Sequence, residues 1–578
     1  MSALISALDE GEAAPETVVL SCPTGGGEKG LVAGVRESLS VVLSSVRWWL
    51  GEERLLGSRL VVATCGAVAT EAGEDVAGLV QAPVWGLLRS VQTESPGRFL
   101  LLDHDPDHGS EISPTAADAV VRVLAAGEEP QLAVRGGTVL VPRMSRVVAK
   151  PAVAPEVPAP LVSGGTVLVT GASGVLAGVV ARHLVAEHGV EHLLLASRRG
   201  PEAPGTVELV AELEAAGASV TVAACDVGDR DAVRELLAAV PAQLPLRGVV
   251  HTAAVVDDGV VEGLSDERVQ RVLAPKVDGA WHLHELTRDM GLEAFVLYSS
   301  VAATLGAGGQ SSYAAANAFL DALAQHRHAQ GLPALSLAWG RIAQERSAGL
   351  LDAALETERP HVLSMKVDLK ATRKRADAVP ALMRGLVRAP HRKAAAGQQS
   401  AEAWKEQMAL TAPEEREQLL LDLVLTHAAS VLGHSGHTGI EPDRALKELG
   451  FDSLTAVELR NQLSTTTGMR LPATLVFDHP TPLAVAHYLD SQVRGVGQSE
   501  TNMSARTVLA EFDKLEVTLS RLRYREDERA QISARLKGLI LALGDSRLDD
   551  GAQARSDDLE SADMDQVLKL LNDELGTF

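Results

Sequence analysis

Between Thr166 and Thr252 the chain alternates short apolar runs with helical patterns at nearly even spacing, and this rhythm limits the fold more than any other feature. The runs predict strands over 166–170, 192–196, 219–223 and 248–252, and the intervening periodicity predicts helices over 175–188, 205–216 and 230–239. Strands separated by helices cannot pair as hairpins, so they must lie parallel in a doubly wound sheet with helices on both faces. The first strand runs straight into Thr170-Gly171-Ala172-Ser173-Gly174, a turn whose glycines let backbone come close to a pyrophosphate at a helix N-terminus. Taken alone, that turn is equally a tight strand-to-helix connection.

A weaker version of the rhythm precedes it. Val18–Leu20, Leu60–Ala63 and Phe99–Leu102 read as strands, and 31–50 and 74–93 read as helices. The segment 149–165 is rich in Pro, Ala and Val without helical or strand periodicity, and so reads as an extended linker. With 578 residues, several cores are expected. Aromatic residues make up only 3%, which leaves small aliphatic side chains to fill them. Residues 1–150 and 151–395 are therefore assigned to two α/β units. The weakly patterned stretch 396–412 reads as a linker, 413–492 as a compact helical unit, and 503–578 as charged helices with narrow leucine stripes that want partner helices.

The net charge of −23 argues against nucleic acid or anionic membrane as a partner. Three scattered cysteines, without a CxxC or a Cys/His cluster, indicate neither a disulfide framework nor a metal site, and fit a reducing cytoplasm. No export signal or membrane-spanning run is evident.

The chemistry-bearing residues fall at strand ends, where such folds take their ligands. The turn offers Thr170, Gly171, Ser173, Gly174, Val175 and Leu176 to a dinucleotide. The next strand ends in Ser197-Arg198-Arg199, guanidiniums where an NAD site would present a carboxylate, which suits the 2′-phosphate of NADPH; solvated surface arginines are the bland alternative. Asp226-Val227 and His251-Thr252-Ala253 end the third and fourth strands. Tyr313 and Asn317, four residues apart, share a helix face. Ketone reduction needs a proton donor at the developing alkoxide, and a phenol near pKa 10 needs help to serve. Lys276 is expected to lower the Tyr313 pKa, Ser300 to hydrogen-bond the carbonyl, and Asn317 to hold a relaying water. Seen singly, Tyr313 could be a half-buried aromatic and Ser300 a loop hydroxyl.

In this order the residues make residues 1–395 resemble the ketoreductase of a modular type I polyketide synthase, within the short-chain dehydrogenase/reductase superfamily. The resemblance implies two Rossmann-like halves, one structural and one catalytic, with the first shortened at its start. It also implies the exchanged arrangement in which Asn317 follows the tyrosine while Lys276 comes from an earlier helix. Val256-Asp257-Asp258 stands where this family has Leu-Asp-Asp, implying a B-type enzyme that delivers a 3R (D) β-hydroxyl. After Trp339-Gly340 the sequence Arg341–Arg346 departs from the family's lid. Downstream, Leu449-Gly450-Phe451-Asp452-Ser453-Leu454 resembles an acyl carrier protein, which makes Ser453 the site of 4′-phosphopantetheine attachment instead of a simple helix cap. Residues 503–578 resemble a C-terminal docking and dimerisation region, its last 23 residues carrying seven acidic groups against Lys569. The implied fold is thus a double α/β Rossmann-like domain, then a small helical-bundle carrier and a helical docking region. The implied partners are a β-ketoacyl thioester, upstream condensing and acyltransferase domains, a phosphopantetheinyl transferase, a second copy of the chain, and a downstream synthase subunit met through the acidic helix. The rival reading is a carrier and docking scaffold whose reductase is redox-silent.

Overall fold

The computed structural model describes principally residues 2–25, 30–106, 129–147, 161–340, 347–365, 379–386, 411–432, 440–451, 453–469 and 475–496. The linker core at 151–160, the departing lid sequence at 341–346 and the expected docking region at 503–578 lie outside the described residues.

Two sheets organise the chain. The first has five strands in the order β1 (Thr17–Ser21), β2 (Arg59–Cys65), β3 (Phe99–His104), β4 (Gln131–Arg135) and β5 (Thr138–Leu140). All its pairings are parallel except β4 with β5, which run antiparallel through the Gly136-Gly137 turn. Strand β2 shows a single exposed residue followed by six buried ones, as a strand covered on both faces should. Its helices are α1 (Ser2–Asp9), α2 (Leu31–Gly51) and α3 (Ala82–Glu94).

The expected helix over 74–93 begins only at Ala82. A Cβ at Gly78 would lie 2.1 Å from the Cys65 carbonyl oxygen, so residues before the helix press on the end of β2 as a turn. Pro83 then suits the first helical turn, where no intrahelical N–H bond is lost.

The second sheet has seven parallel strands: β6 (Thr166–Thr170), β7 (His192–Ser197), β8 (Ser219–Ala224), β9 (Leu246–His251), β10 (Ala294–Ser300), β11 (Leu335–Trp339) and β12 (His361–Ser364). Their spatial order is β12-β11-β10-β9-β6-β7-β8. Strand order reverses between β9 and β6, opening a crevice at the carboxyl ends of those strands. The connecting helices are α4 (Val175–Ala186), α5 (Thr206–Ala215), α6 (Arg230–Ala238), α7 (Asp266–Leu273), α8 (Gly279–Thr287), α9 (Ser311–Ala329) and α10 (Ser347–Leu355). The expected strands and helices of this half agree with the structure to within two residues at each end.

The two halves share one apolar core, in which α3 packs along α9. The helices touch backbone to backbone: a Cβ at Gly86 would fall 2.1 Å from the Ala314 carbonyl oxygen. A separate core belongs to α11 (Pro413–Val431), α12 (Ser453–Thr467) and α13 (Pro482–Val496), which form a small bundle around Leu420, Val424, Leu459, Leu463 and Leu489. The buried Arg416–Asp490 pair, 2.6 Å apart, ties the first of these helices to the last.

Candidate active site

The crevice starts at the turn after β6. Gly171 has φ +74°, and a Cβ there would meet the Ala253 nitrogen at 2.7 Å and the Thr252 hydroxyl at 2.9 Å, so only glycine leaves this space open. Gly174 precedes α4 with no side-chain cap on the helix, while Ser173, Gly174 and Val175 are exposed and Leu176 is half-buried. Thr252 donates its hydroxyl to the Thr170 carbonyl at 2.7 Å and locks the ends of β6 and β9 together. Thr170 Oγ1 also lies 2.8 Å from His251 Nδ1. His251 is wholly buried, and burial first, then the nearby Lys276 charge, pushes its pKa down to about 3; a neutral imidazole therefore stands at the crevice floor.

The end of β7 sets the adenosine side. Ser197 is buried and its hydroxyl accepts from the Gly200 N–H at 3.1 Å, closing a turn that leaves Arg198 and Arg199 exposed. Neither arginine has an ion-pair partner among the described residues. Asp226, exposed after β8, accepts from the Gly228 N–H at 3.0 Å, and Val227 beside it is buried. A turn that only glycine fits, an uncapped helix start and two unpaired guanidiniums at the next strand end suit a phosphorylated dinucleotide.

Ser300, Asn317 and Lys276 neighbour Tyr313. Ser300 ends β10, and its hydroxyl accepts from the Ala302 N–H at 3.2 Å. Tyr313 and Asn317 both lie on α9. Hydrogen bonds with the Asn317 and Ser300 side chains pull the Tyr313 pKa down, but burial outweighs them and holds the phenol above its usual value. Asn317 donates Nδ2 to the Tyr313 carbonyl at 2.8 Å, and its buried Oδ1 has no partner among the described residues.

Lys276 sits in a π-turn, Ala274–Asp278, inserted between α7 and α8. Such single-turn insertions displace a side chain from the regular helical positions. The Lys276 Nζ lies 5.9 Å from the centroid of the Tyr313 ring and donates to the Tyr298 carbonyl at 2.8 Å. Burial depresses its pKa to about 7, with only partial relief from the Asp321 carboxylate. The expectation that the ammonium would lower the phenol pKa is not met in this state: the tyrosine is raised by burial, and the cation faces a main-chain oxygen.

The Val256-Asp257-Asp258 segment is pinned beside these groups. Asp257 Oδ1 accepts from Arg268 at 2.6 Å and its Oδ2 from Arg271 at 2.8 Å, so the carboxyl stays below its usual range. Asp258 Oδ2 accepts from the Gln310 side chain at 3.0 Å, joining the segment to the start of α9, whereas Val256 is exposed.

One group carried no motif in the sequence. Glu94 closes α3 in the first half, yet its carboxylate accepts from the Val261 N–H at 2.9 Å, the Gly309 N–H at 2.8 Å and the Ser311 hydroxyl at 3.3 Å. It thereby braces the start of the helix that bears Tyr313. Arg36 forms an ion pair with Asp278 in the π-turn, and Arg89 donates to the Ala303 carbonyl at 2.9 Å. The first half thus grips the site at three points. Three of the groups it bonds, the Val261 and Gly309 N–H and the Ala303 carbonyl, are main-chain groups more than 160 residues away, which leave no signature of residue type.

In the third unit, Ser453 is the first residue of α12. Cys22, Cys65 and Cys225 are free and buried. Among the described residues, no helix is long and apolar enough to cross a membrane.

Comparison with known proteins assigns these parts. Residues 165–344 match the KR domain, residues 1–144 match the Rossmann fold domain of the polyketide synthase extender module SpnB, and residues 422–489 match the phosphopantetheine attachment site. Over its whole length the chain is 43% identical to polyketide synthase GfsB of Streptomyces halstedii, covering 11% of that protein. It is 48% identical over 80% of its length to spectinabilin polyketide synthase system protein NorA′ of Streptomyces orinoci, covering 13% of it. The chain therefore spans roughly a tenth of these relatives. Among solved structures, an A1-type ketoreductase superposes with a TM-score of 0.59 at 36% identity, over 67% of this chain and 85% of that one. A structure of A-type ketoreductases from a modular polyketide synthase gives 0.58 at 39%, over 66% and 84%. Together with the carrier match behind the double Rossmann-like unit, this coverage shows that the chain belongs to the modular polyketide synthases, of which it holds a ketoreductase and an acyl carrier domain.

Proposed function

We propose that the chain reduces a carrier-bound β-ketoacyl thioester to the β-hydroxyacyl thioester with NADPH, the acyl group being held on phosphopantetheine at Ser453. What supports this reading is the contact of Tyr313 with the Ser300 and Asn317 side chains, in the same half as the glycine turn after β6. NADPH, when bound, supplies the hydride for the β-carbon. Ser300 and Tyr313 hydrogen-bond the ketone oxygen, and the Tyr313 hydroxyl gives that oxygen its proton as negative charge develops. Burial that raises the phenol pKa keeps the proton on Tyr313 until the alkoxide, a far stronger base, forms. The unpartnered Asn317 Oδ1 offers an acceptor for a water that returns the proton. The phenolate left behind favours the protonated form of Lys276, whose ammonium in turn stabilises that phenolate.

Arg198 and Arg199 select NADPH over NADH through the 2′-phosphate. The fixed Asp257 and Asp258 carboxylates support a B-type outcome, a 3R alcohol, although the two solved relatives are described as A-type and A1-type. The product then passes to a downstream synthase subunit, which the acidic stripe at 556–578 would engage as part of a homodimer. A cytoplasmic site of action follows.

The test uses the full chain converted to its holo form, loaded with a β-ketoacyl group and given NADPH. NADPH oxidation with formation of the 3R alcohol is expected. A 3S alcohol overturns the B-type assignment, and no oxidation at all leaves the scaffold reading in its place.

A further inference from the structure

Arg460 lies on α12 of the carrier, seven residues after Ser453, yet among the described residues the one hydrogen-bond acceptor of its guanidinium is on the reductase, and its buried Nε has no partner there. It donates to the Glu94 main-chain carbonyl at the end of α3, and it is only 6% exposed. Burial pulls its pKa down, while the charges of Glu262 and Glu94 oppose that fall. Next to it, Asn461 Nδ2 donates to the Thr93 carbonyl at 2.6 Å. The last carbonyls of any helix lack intrahelical partners and carry the negative end of its dipole, so a cation and an amide are the groups they favour. An arginine buried against another domain, with no bond to its own among the described residues, is a poor choice for holding the carrier fold together.

We propose that the last turn of α3 is the seat on which this chain's carrier domain docks to present its thioester to the reductase. The partner is the carrier's own α12, recognised by Arg460 and Asn461 from one side and by the exposed Glu262 from the other. The seat adjoins the chemistry through one residue. The Glu94 carbonyl receives the carrier, while the Glu94 carboxylate holds Val261 and Ser311, the latter two residues before Tyr313. Seven helical residues place Ser453 roughly 10 Å along α12 from that contact, so a flexible arm starts close to the crevice. A docked carrier replaces diffusion with a high local concentration of substrate. The inference rests on Ser453 being the attachment residue and on the reduction proposed above.

The test compares two substrates with the full holo chain: the β-ketoacyl group on its own carrier, and the same acyl group as a free N-acetylcysteamine thioester. Arg460→Ala is expected to slow single-turnover reduction of the carrier-borne group about tenfold and to leave the free thioester unaffected. Deuterium uptake should rise over residues 90–96 and 455–464 in the same variant. Glu262→Lys, which leaves the carrier sequence untouched, should give the same selective loss, and it carries the test if Arg460→Ala unfolds the carrier. Equal slowing of both substrates, or unchanged rates with unchanged uptake, overturns the seat. Failure of the reduction itself is recognised separately, because the wild-type chain would then leave the free thioester unreduced.

Discussion

The two α/β halves end their strands in opposite ways. At the corresponding turn of the first half, the protein fills the space with its own side chains. Asp103 is fully buried, and its carboxylate accepts from the Ala67 N–H at 2.8 Å, the Thr64 hydroxyl at 2.6 Å and Arg135 at 2.6 Å. Gln81 accepts from the Cys65 N–H at 2.7 Å and donates to the Cys22 carbonyl at 2.9 Å. At the end of β6, Gly171 and Gly174 offer no side chain, and the start of α4 goes uncapped. The same architecture becomes a brace when the strand ends are plugged and a binding site when they are left open. The brace then acts on the site through α3, Arg36 and Glu94.

If that division is right, changes in the two halves should separate into losses of chemistry and losses of stability. The largest effect is expected from Tyr313→Phe, which removes the proton donor: kcat should fall by about 10²- to 10⁴-fold, with NADPH binding by fluorescence and the melting temperature unchanged. Asp103→Ala in the first half should do the reverse, costing about 2–4 kcal/mol in denaturant unfolding because it orphans the buried Ala67 N–H and Thr64 hydroxyl and leaves the half-buried Arg135 with Glu74 as its carboxylate partner, with kcat preserved in whatever fraction stays folded. Gly86→Ala tests the coupling between halves. The 2.1 Å approach to Ala314 leaves no room for a methyl group, so α3 and α9 must separate, and both kcat and the melting temperature should drop. Loss of stability alone would show that α3 does not position Tyr313. Replacing Arg198 and Arg199 together with alanine should raise the KM for NADPH about tenfold or more and leave that for NADH nearly unchanged.

The smallest and most pH-dependent effect belongs to Lys276→Met. The Lys276 pKa falls from 10.5 to about 7 on folding, so between those values the unfolded chain binds more protons and wild-type stability rises with pH. Below pH 7 the cost of burying the ammonium is felt in full. The variant should therefore melt above wild type at pH 6, offset in part by the orphaned Tyr298 carbonyl, and the gap should close toward pH 10.5. Its reductase activity should fall at every pH.

Much of the second half was legible because its signals are local. The glycine turn, the Arg198-Arg199 strand end and the Tyr313–Asn317 spacing each report on residues within one turn or one helix face. Tyr313 acidity was not legible, since it depends on how deeply α9 is buried and on where the Lys276 amine points. Glu94 escaped notice for a related reason: its partners are main-chain N–H groups that any sequence possesses. The start of α3 was misjudged because the periodicity over 74–81 reflects burial beneath the end of β2, which a turn achieves as well as a helix.

The close contact at Gly86 bears on how these synthases can be recombined. A chimaera joined at the proline-rich linker would inherit the first half of one parent and the catalytic helix of another, and its reductase would stand or fall on whether a residue without a side chain remains opposite Ala314. Exchanges that move residues 1–395 as one block keep that match intact.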